Sequence, residues 1–210
     1  MKKALCAVLS IMMIMTLAGC RPPHGREEET DMKPVIYLYP EEETEITVTL
    51  DYDGALTTTY PHYDGGWHVT AEPDGTLYDA AGCEYSYLYW EGRGAWTPDF
   101  SEGFCVAGAD TADFLRETLA AMGLTPREYN EMIVYWLPQM EGNAYNVISF
   151  QKEAYTEAAR LTVAPEPDSV LRVFMAWYAA DEPVELAPQD IAPFERTGFT
   201  VVEWGGREVK

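Results

Sequence analysis

Short runs rich in β-branched and aromatic residues, each closed by turn-forming residues, fill the first half of the sequence and leave room for little besides a sheet protein. Val35-Ile36-Tyr37-Leu38-Tyr39, Glu45 to Leu50, Leu56 to Tyr60, Trp67 to Ala71 and Tyr85 to Glu91 read as strands. Between them, Asp53-Gly54, Asp64-Gly65-Gly66 and Glu72-Pro73-Asp74-Gly75 offer the positive φ and proline-set positions of tight reversals, which predicts a hairpin at each. Glu45-Ile46-Thr47-Val48-Thr49-Leu50 alternates polar and apolar, the pattern of a strand with one wet face.

The pattern changes once, at Asp110. That residue is placed to cap a helix carrying Phe114, Leu115, Leu119 and Met122 on one side, and Gly123 is placed to end it. Thr125-Pro126-Arg127-Glu128 combines a capping box with proline at the first helical position. A second helix follows, with Tyr129, Met132, Ile133, Trp136 and Leu137 on one stripe and Pro138 expected to close it. Strands resume at Tyr145 to Phe150, Arg160 to Ala164, Val170 to Tyr178 and Phe199 to Trp204. One helical region inside a run of strands argues against a doubly wound α/β protein. It predicts an α+β fold, mainly antiparallel β-sheet with a two-helix insertion packed on one face.

The N-terminus reads as an address. Lys2 and Lys3 precede an apolar run from Ala4 to Thr16, which is too short to span a bilayer as a helix but suits a signal-peptide core. The run ends in Leu17-Ala18-Gly19-Cys20, which resembles the lipobox of bacterial lipoproteins. That resemblance implies cleavage before Cys20 and thioether attachment of diacylglycerol to its sulfur. Residues 1–19 are then signal peptide and residues 20–32, polar and proline-containing, a flexible tether; residues 33–210 form a single globular domain. Acyl chains of the palmitate type would hold such a protein stably at the membrane, since each buried methylene contributes about 0.8 kcal/mol. The expected location is extracytoplasmic, on the bacterial cell membrane.

Three further segments, Lys33-Pro34-Val35-Ile36-Tyr37-Leu38-Tyr39-Pro40, Tyr87-Leu88-Tyr89-Trp90-Glu91 and Glu203-Trp204-Gly205-Gly206, resemble a family of uncharacterised proteins, many of them bacterial lipoproteins. The similarity covers most of residues 33–206. It implies one domain and a lipid anchor, and it brings no catalytic residues with it.

Charge narrows the partners. The chain has 14 Lys and Arg against 35 Asp and Glu, a net charge of −21. Loss of Lys2 and Lys3 with the signal leaves 12 basic residues and a charge of −23 on the exported part. Phosphate contacts need clustered Lys and Arg, so no nucleic acid is expected as a partner. The same charge repels anionic headgroups and keeps the domain off the lipid surface except through its anchor. With Cys6 removed and Cys20 lipidated, Cys83 and Cys105 are the remaining cysteines. In an exported compartment they stand either as a disulfide or as two buried thiols.

Chemistry is thinly marked. The sequence has no GxSxG elbow, HExxH helix, Walker A loop or GxGxxG turn, and His62, Asp64 and His68 match no metal-ligand framework. No cofactor or metal is expected. Glu91 and Glu203 each end an aromatic strand beside a tryptophan; brought together they would supply the acid and the nucleophile or base of glycoside hydrolysis. Trp67, Tyr87, Tyr89, Trp90 and Trp96 could instead stack against sugar rings, although alternation along Tyr85 to Trp90 sends one set of side chains into the core. The balance favours a lipid-anchored binding or structural protein of the cell envelope, with a saccharide or an envelope protein as partner, over an enzyme. A hydrolase using the glutamate pair is the alternative.

Overall fold

The structure, a computed structural model, describes residues 29–210. The signal peptide, Cys20 and most of the expected tether lie outside the described residues. In chain order the elements are β1 (Glu29–Tyr39), β2 (Thr44–Tyr52), β3 (Gly54–Tyr60), β4 (Trp67–Ala71), β5 (Leu77–Tyr78), β6 (Glu84–Tyr85), β7 (Leu88–Gly94) and β8 (Glu102–Ala107). A 3-10 turn then leads into α1 (Thr111–Ala121) and α2 (Pro126–Met140). After these come β9 (Tyr145–Gln151), α3 (Glu153–Ala158), β10 (Ala159–Ala164), β11 (Ser169–Ala180), β12 (Ala187–Pro188) and β13 (Thr200–Glu208).

Two sheets result. The larger has the order β12-β8-β9-β11-β13-β1-β7-β3 and the smaller β10-β2-β4-β5-β6. Pairing is antiparallel except for β11 with β13 and β12 with β8, which run parallel. The chain is thus an α+β protein built mainly of antiparallel sheet. β1 shows why its apolar run is unbroken: Val35 and Tyr37 enter one buried cluster, Ile36 and Leu38 another, so neither face is wet. The first cluster joins Val35, Ile148, Val173, Met175, Trp177, Val202 and Trp204 of the large sheet to Leu115, Leu119, Met132, Trp136 and Met140 of the helices. The second joins Ile36, Leu88, Trp90, Phe174 and Val201 to Ile46, Val48, Leu50, Trp67, Val69 and Leu77 of the small sheet.

Several local expectations change. Asp53-Gly54 and Asp64-Gly65-Gly66 are not hairpin turns. β2 pairs with β10 and β4, whereas β3 pairs with β7, so both turns carry the chain from one sheet to the other. Turn chemistry specifies a reversal but not which strand the returning chain meets. Only Glu72 to Gly75 joins paired neighbours, β4 and β5. The run Tyr85 to Glu91 divides, with β6 in the small sheet and β7 in the large. Pro138 does not close α2, which continues to Met140. The carbonyl that Pro138 leaves without its usual donor belongs to Val134, which is 74% exposed and lies on the wet side of the helix. The six-residue α3 and the strand β8 carried no periodic signal and were not anticipated.

The tether is also shorter than expected. Glu29 to Met32 already belong to β1, because Asp31 is fully buried and paired with Arg207 of β13. A polar dodecapeptide carries no internal sign that one of its acids has a buried partner near the other end of the chain.

Candidate functional site

The three motif segments become three adjacent strands, β13, β1 and β7, of the large sheet. The motif glycines permit their packing. A Cβ on Gly205 would lie 2.9 Å from Pro34, and one on Gly206 would lie 2.7 Å from the Trp136 indole.

Alternation separates the two glutamates. Along β13, Val202 and Trp204 point into the cluster shared with the helices, so Glu203 faces the small sheet. Along β7, Leu88 and Trp90 face the small sheet and Glu91 does not. The two carboxylates therefore lie on opposite faces of one sheet and do not form a catalytic pair. Glu203 is completely buried, receives Arg172 Nε at 2.6 Å and accepts from Trp90 Nε1 at 3.2 Å. No water or substrate reaches it.

What Glu203 does join is an ionic layer between the sheets. Arg172 also donates to the Ala159 carbonyl at 2.7 Å and lies 4.8 Å from the ring of Tyr155, which stacks on Phe174 at 4.1 Å. Phe174 meets Trp96 edge-on at 5.4 Å, and Trp96 carries the guanidinium of Arg207 at 4.2 Å. Arg207 in turn pairs with Asp31 at 2.6 Å, and Asp31 accepts from Tyr52 at 2.6 Å and Trp96 at 2.9 Å. Burial, and then the negative charge of Glu203, push the Tyr155 hydroxyl well above the ordinary tyrosine value. The layer is buried between the sheets and ties them together, with the Tyr155 hydroxyl and Arg172 Nη2 left without a hydrogen-bond partner.

Of the five aromatics expected to stack on a ligand, Trp67 and Trp90 are core residues, 2% and 0% exposed. Trp96 is half-buried and spent on Arg207 and Asp31. Tyr87 and Tyr89 remain half-exposed, and they do not stand alone. α2 sets Glu128, Glu131 and Tyr135 three and four residues apart, hence on one stripe, opposite Tyr39, Tyr37 and Lys33 of β1. Tyr37 donates to Glu131 at 2.9 Å, receives Trp204 Nε1 at 3.3 Å and meets Tyr87 edge-on at 5.4 Å. Glu91 accepts the Lys33 backbone N–H at 3.3 Å. Burial, then the bond to Glu91, hold the Tyr89 hydroxyl above its usual range, and burial followed by the charge of Glu91 does the same for Tyr135. The ammonium of Lys33 sits among the rings of Tyr87, Tyr89 and Tyr135.

This strip of tyrosines, carboxylates and one lysine is the candidate site. Sequence reasoning missed Lys33, Tyr39, Glu131 and Tyr135. Lys33 and Tyr39 lay in a quoted motif, but Tyr135 falls outside the apolar stripe of α2 and gave no signal.

Elsewhere, a polar recess of about 240 Å³ is lined by Asp99, Ser101, Ser149, Gln151 and Gln189. Its amides are engaged: Gln189 bonds both backbone groups of Phe150, and Gln151 bonds both those of Asp99. No three His, Cys, Asp or Glu side chains gather as metal ligands among the described residues. The disulfide does not form, and Cys83 and Cys105 are free thiols, the first exposed and the second half-buried. Cys83 sits in the β5–β6 turn, where its N–H caps Asp79 at 2.9 Å, while Cys105 lies in β8 of the other sheet.

Fold and site together define a two-sheet α+β protein that presents a tyrosine-rich strip. An "Uncharacterized protein in bglA 3'region" of Butyrivibrio fibrisolvens is 43% identical to it over 94 residues, which are 43% of this chain and 97% of that relative. The chain belongs to the same family as that protein. No family model matches the chain, and no solved structure matches it.

Proposed function

We propose that this is a lipid-anchored, extracytoplasmic binding protein of the cell envelope, and that its ligand is a saccharide received on the strip between β1, β7 and α2. One observation carries the reading. Two of the sequence motifs, those of β1 and β7, meet α2 at a single half-exposed surface where Tyr39, Tyr87, Tyr89 and Tyr135 lie among the carboxylates of Glu91 and Glu131, the combination that stacks on sugar rings and bonds their hydroxyls. In this reading the helix pair covers the face of the large sheet that carries Val35 and Tyr37, and α2 supplies the outer wall of the strip through Glu131 and Tyr135. The lipobox at Leu17 to Cys20 supports the anchor, and the negative charge supports a domain standing clear of the bilayer. The hydrolase alternative is not retained, since Glu203 belongs to a buried ion pair.

Binding is tested by calorimetric titration of the detergent-solubilised full chain against a panel of envelope and plant-wall oligosaccharides. At least one should bind, and Y87A/Y89A should abolish that binding with the thermal midpoint retained. A panel without a binder, or binding that survives the double substitution, overturns the reading. The anchor has its own test: C20A should release the protein from membranes and end its labelling by fatty acid, and unchanged labelling refutes the lipobox.

A further inference from the structure

The Lys33 ammonium lies 5.6 Å from the ring centre of Tyr87, 5.6 Å from that of Tyr89 and 5.7 Å from that of Tyr135. All three distances fall within the range at which an aromatic face attracts a cation. The rings come from separate places, one just before β7, one within it and one on α2, so their near-equal spacing defines a cage around a single charge. Among the described residues Lys33 makes no ion pair, although the protein is strongly acidic and Glu91 bonds its own backbone N–H. The rings alone hold the ammonium.

The backbone that delivers it is strained. Lys33 has φ +57°, and no other non-glycine described residue adopts a positive φ. It also precedes Pro34, a position that disfavours helical conformations. The strain falls where the register of β1 shifts between Asp31 and Val35. Strain of this kind persists only where the surroundings over-determine it, and it concentrates at ligand sites.

We propose that Tyr87, Tyr89, Tyr135 and Glu91 form a receptor for an organic ammonium, occupied in this structure by Lys33 as an internal stand-in, and that the ligand is a saccharide carrying a free amine, which displaces it. The inference rests on the saccharide reading above and names the class of sugar. Charge selects that class. With Lys33 swung out, the rings, Glu91 and the neighbouring Glu131 leave a pocket whose charge is negative, and charges beyond about 8 Å are screened at physiological salt. A uronic acid would set a further carboxylate beside Glu91, and a neutral sugar can stack on the rings but brings no charge to replace that of Lys33.

The variant K33G removes the stand-in and relieves the strained φ, since glycine accepts the left-handed region freely, so it is expected to fold. Three titrations of detergent-solubilised full chain test the proposal. K33G should bind tetramethylammonium, read by tyrosine fluorescence, and K33G/Y87A/Y89A should not. The wild-type chain should bind a fully deacetylated glucosamine trimer about tenfold tighter than the N-acetylated trimer, the fold-change expected for one partly desolvated cation–π contact. K33G should bind the deacetylated trimer tighter than the wild type does, because no lysine has to be displaced. Failure of K33G to bind tetramethylammonium overturns the cage. Equal affinity for the two trimers leaves the saccharide reading standing and overturns only this inference. No binding of either trimer to either form, with the whole oligosaccharide panel also silent, overturns both.

Discussion

Asp31→Asn tests the ionic layer and the start of the folded chain in one substitution. Asp31 is fully buried and paired with Arg207, whose side chain is 1% exposed, with Nη2 at 2.6 Å and Nε at 2.8 Å from the same oxygen. Asparagine keeps the shape and can still accept from Tyr52 and Trp96, but it leaves the Arg207 charge uncompensated in a dry interior. Removing one partner of such a pair costs about 3–5 kcal/mol. At ~2–4 °C per kcal/mol for a protein of this length, the thermal midpoint should fall by roughly 6–20 °C. The assay is near-ultraviolet circular dichroism on heating, at neutral pH and fixed salt. D31N/R207M completes the argument, because replacing both charges with groups of similar volume is often neutral; methionine keeps the aliphatic packing on Trp96. The double variant should therefore recover most of the loss. A D31N midpoint indistinguishable from the parent would return Asp31 to the tether and refute the reasoning, and a double variant no better than the single would show that Arg207 is not the cause.

Three further outcomes are expected. Gly206→Ala places a Cβ 2.7 Å from both the Trp136 indole and the Met175 carbonyl, so it should cost about 1–3 kcal/mol in denaturant unfolding; an unchanged midpoint contradicts the packing. Without reductant, alkylation and peptide mapping of the denatured chain should find both Cys83 and Cys105 modified, and a linked peptide pair would refute the free thiols. The bond to Asp79, followed by burial, pushes the Tyr85 hydroxyl up to about 12. It thus adds stability below the ordinary tyrosine value that is lost as pH rises through the folded one. In D79N an ultraviolet titration should move that tyrosine back toward ~10, and an unmoved value would show that Asp79 is not responsible.

How much was legible depends on the range of the interaction concerned. Glu45 to Leu50 could be read correctly as a strand with one wet face because its neighbours in sequence report its burial. The start of α2 was equally readable, since the capping residue Glu128 reaches back only three positions, to the Thr125 N–H at 2.7 Å. The same Glu128 also takes Arg196, 68 residues away, and nothing local announces that. Glu91 and Glu203 failed as a pair for the same reason: each sits beside a tryptophan, but which face of a sheet it occupies follows from register against distant strands.

Short-range physics in the chain by itself therefore settled the class of fold, the helix pair, most strands and the acidic character that argues against nucleic acid. These depend on periodicity, turn residues and summed charge, all of which survive without knowledge of contacts. Only the tertiary structure decided that two glycine turns switch sheets rather than close hairpins, that Asp31 belongs to the core, and that Cys83 lies in a turn of the small sheet while Cys105 lies in a strand of the large one. It alone brought Lys33 among three tyrosines drawn from β7, its approach and α2, because a site assembled across strands exists only once register and layer packing have been chosen.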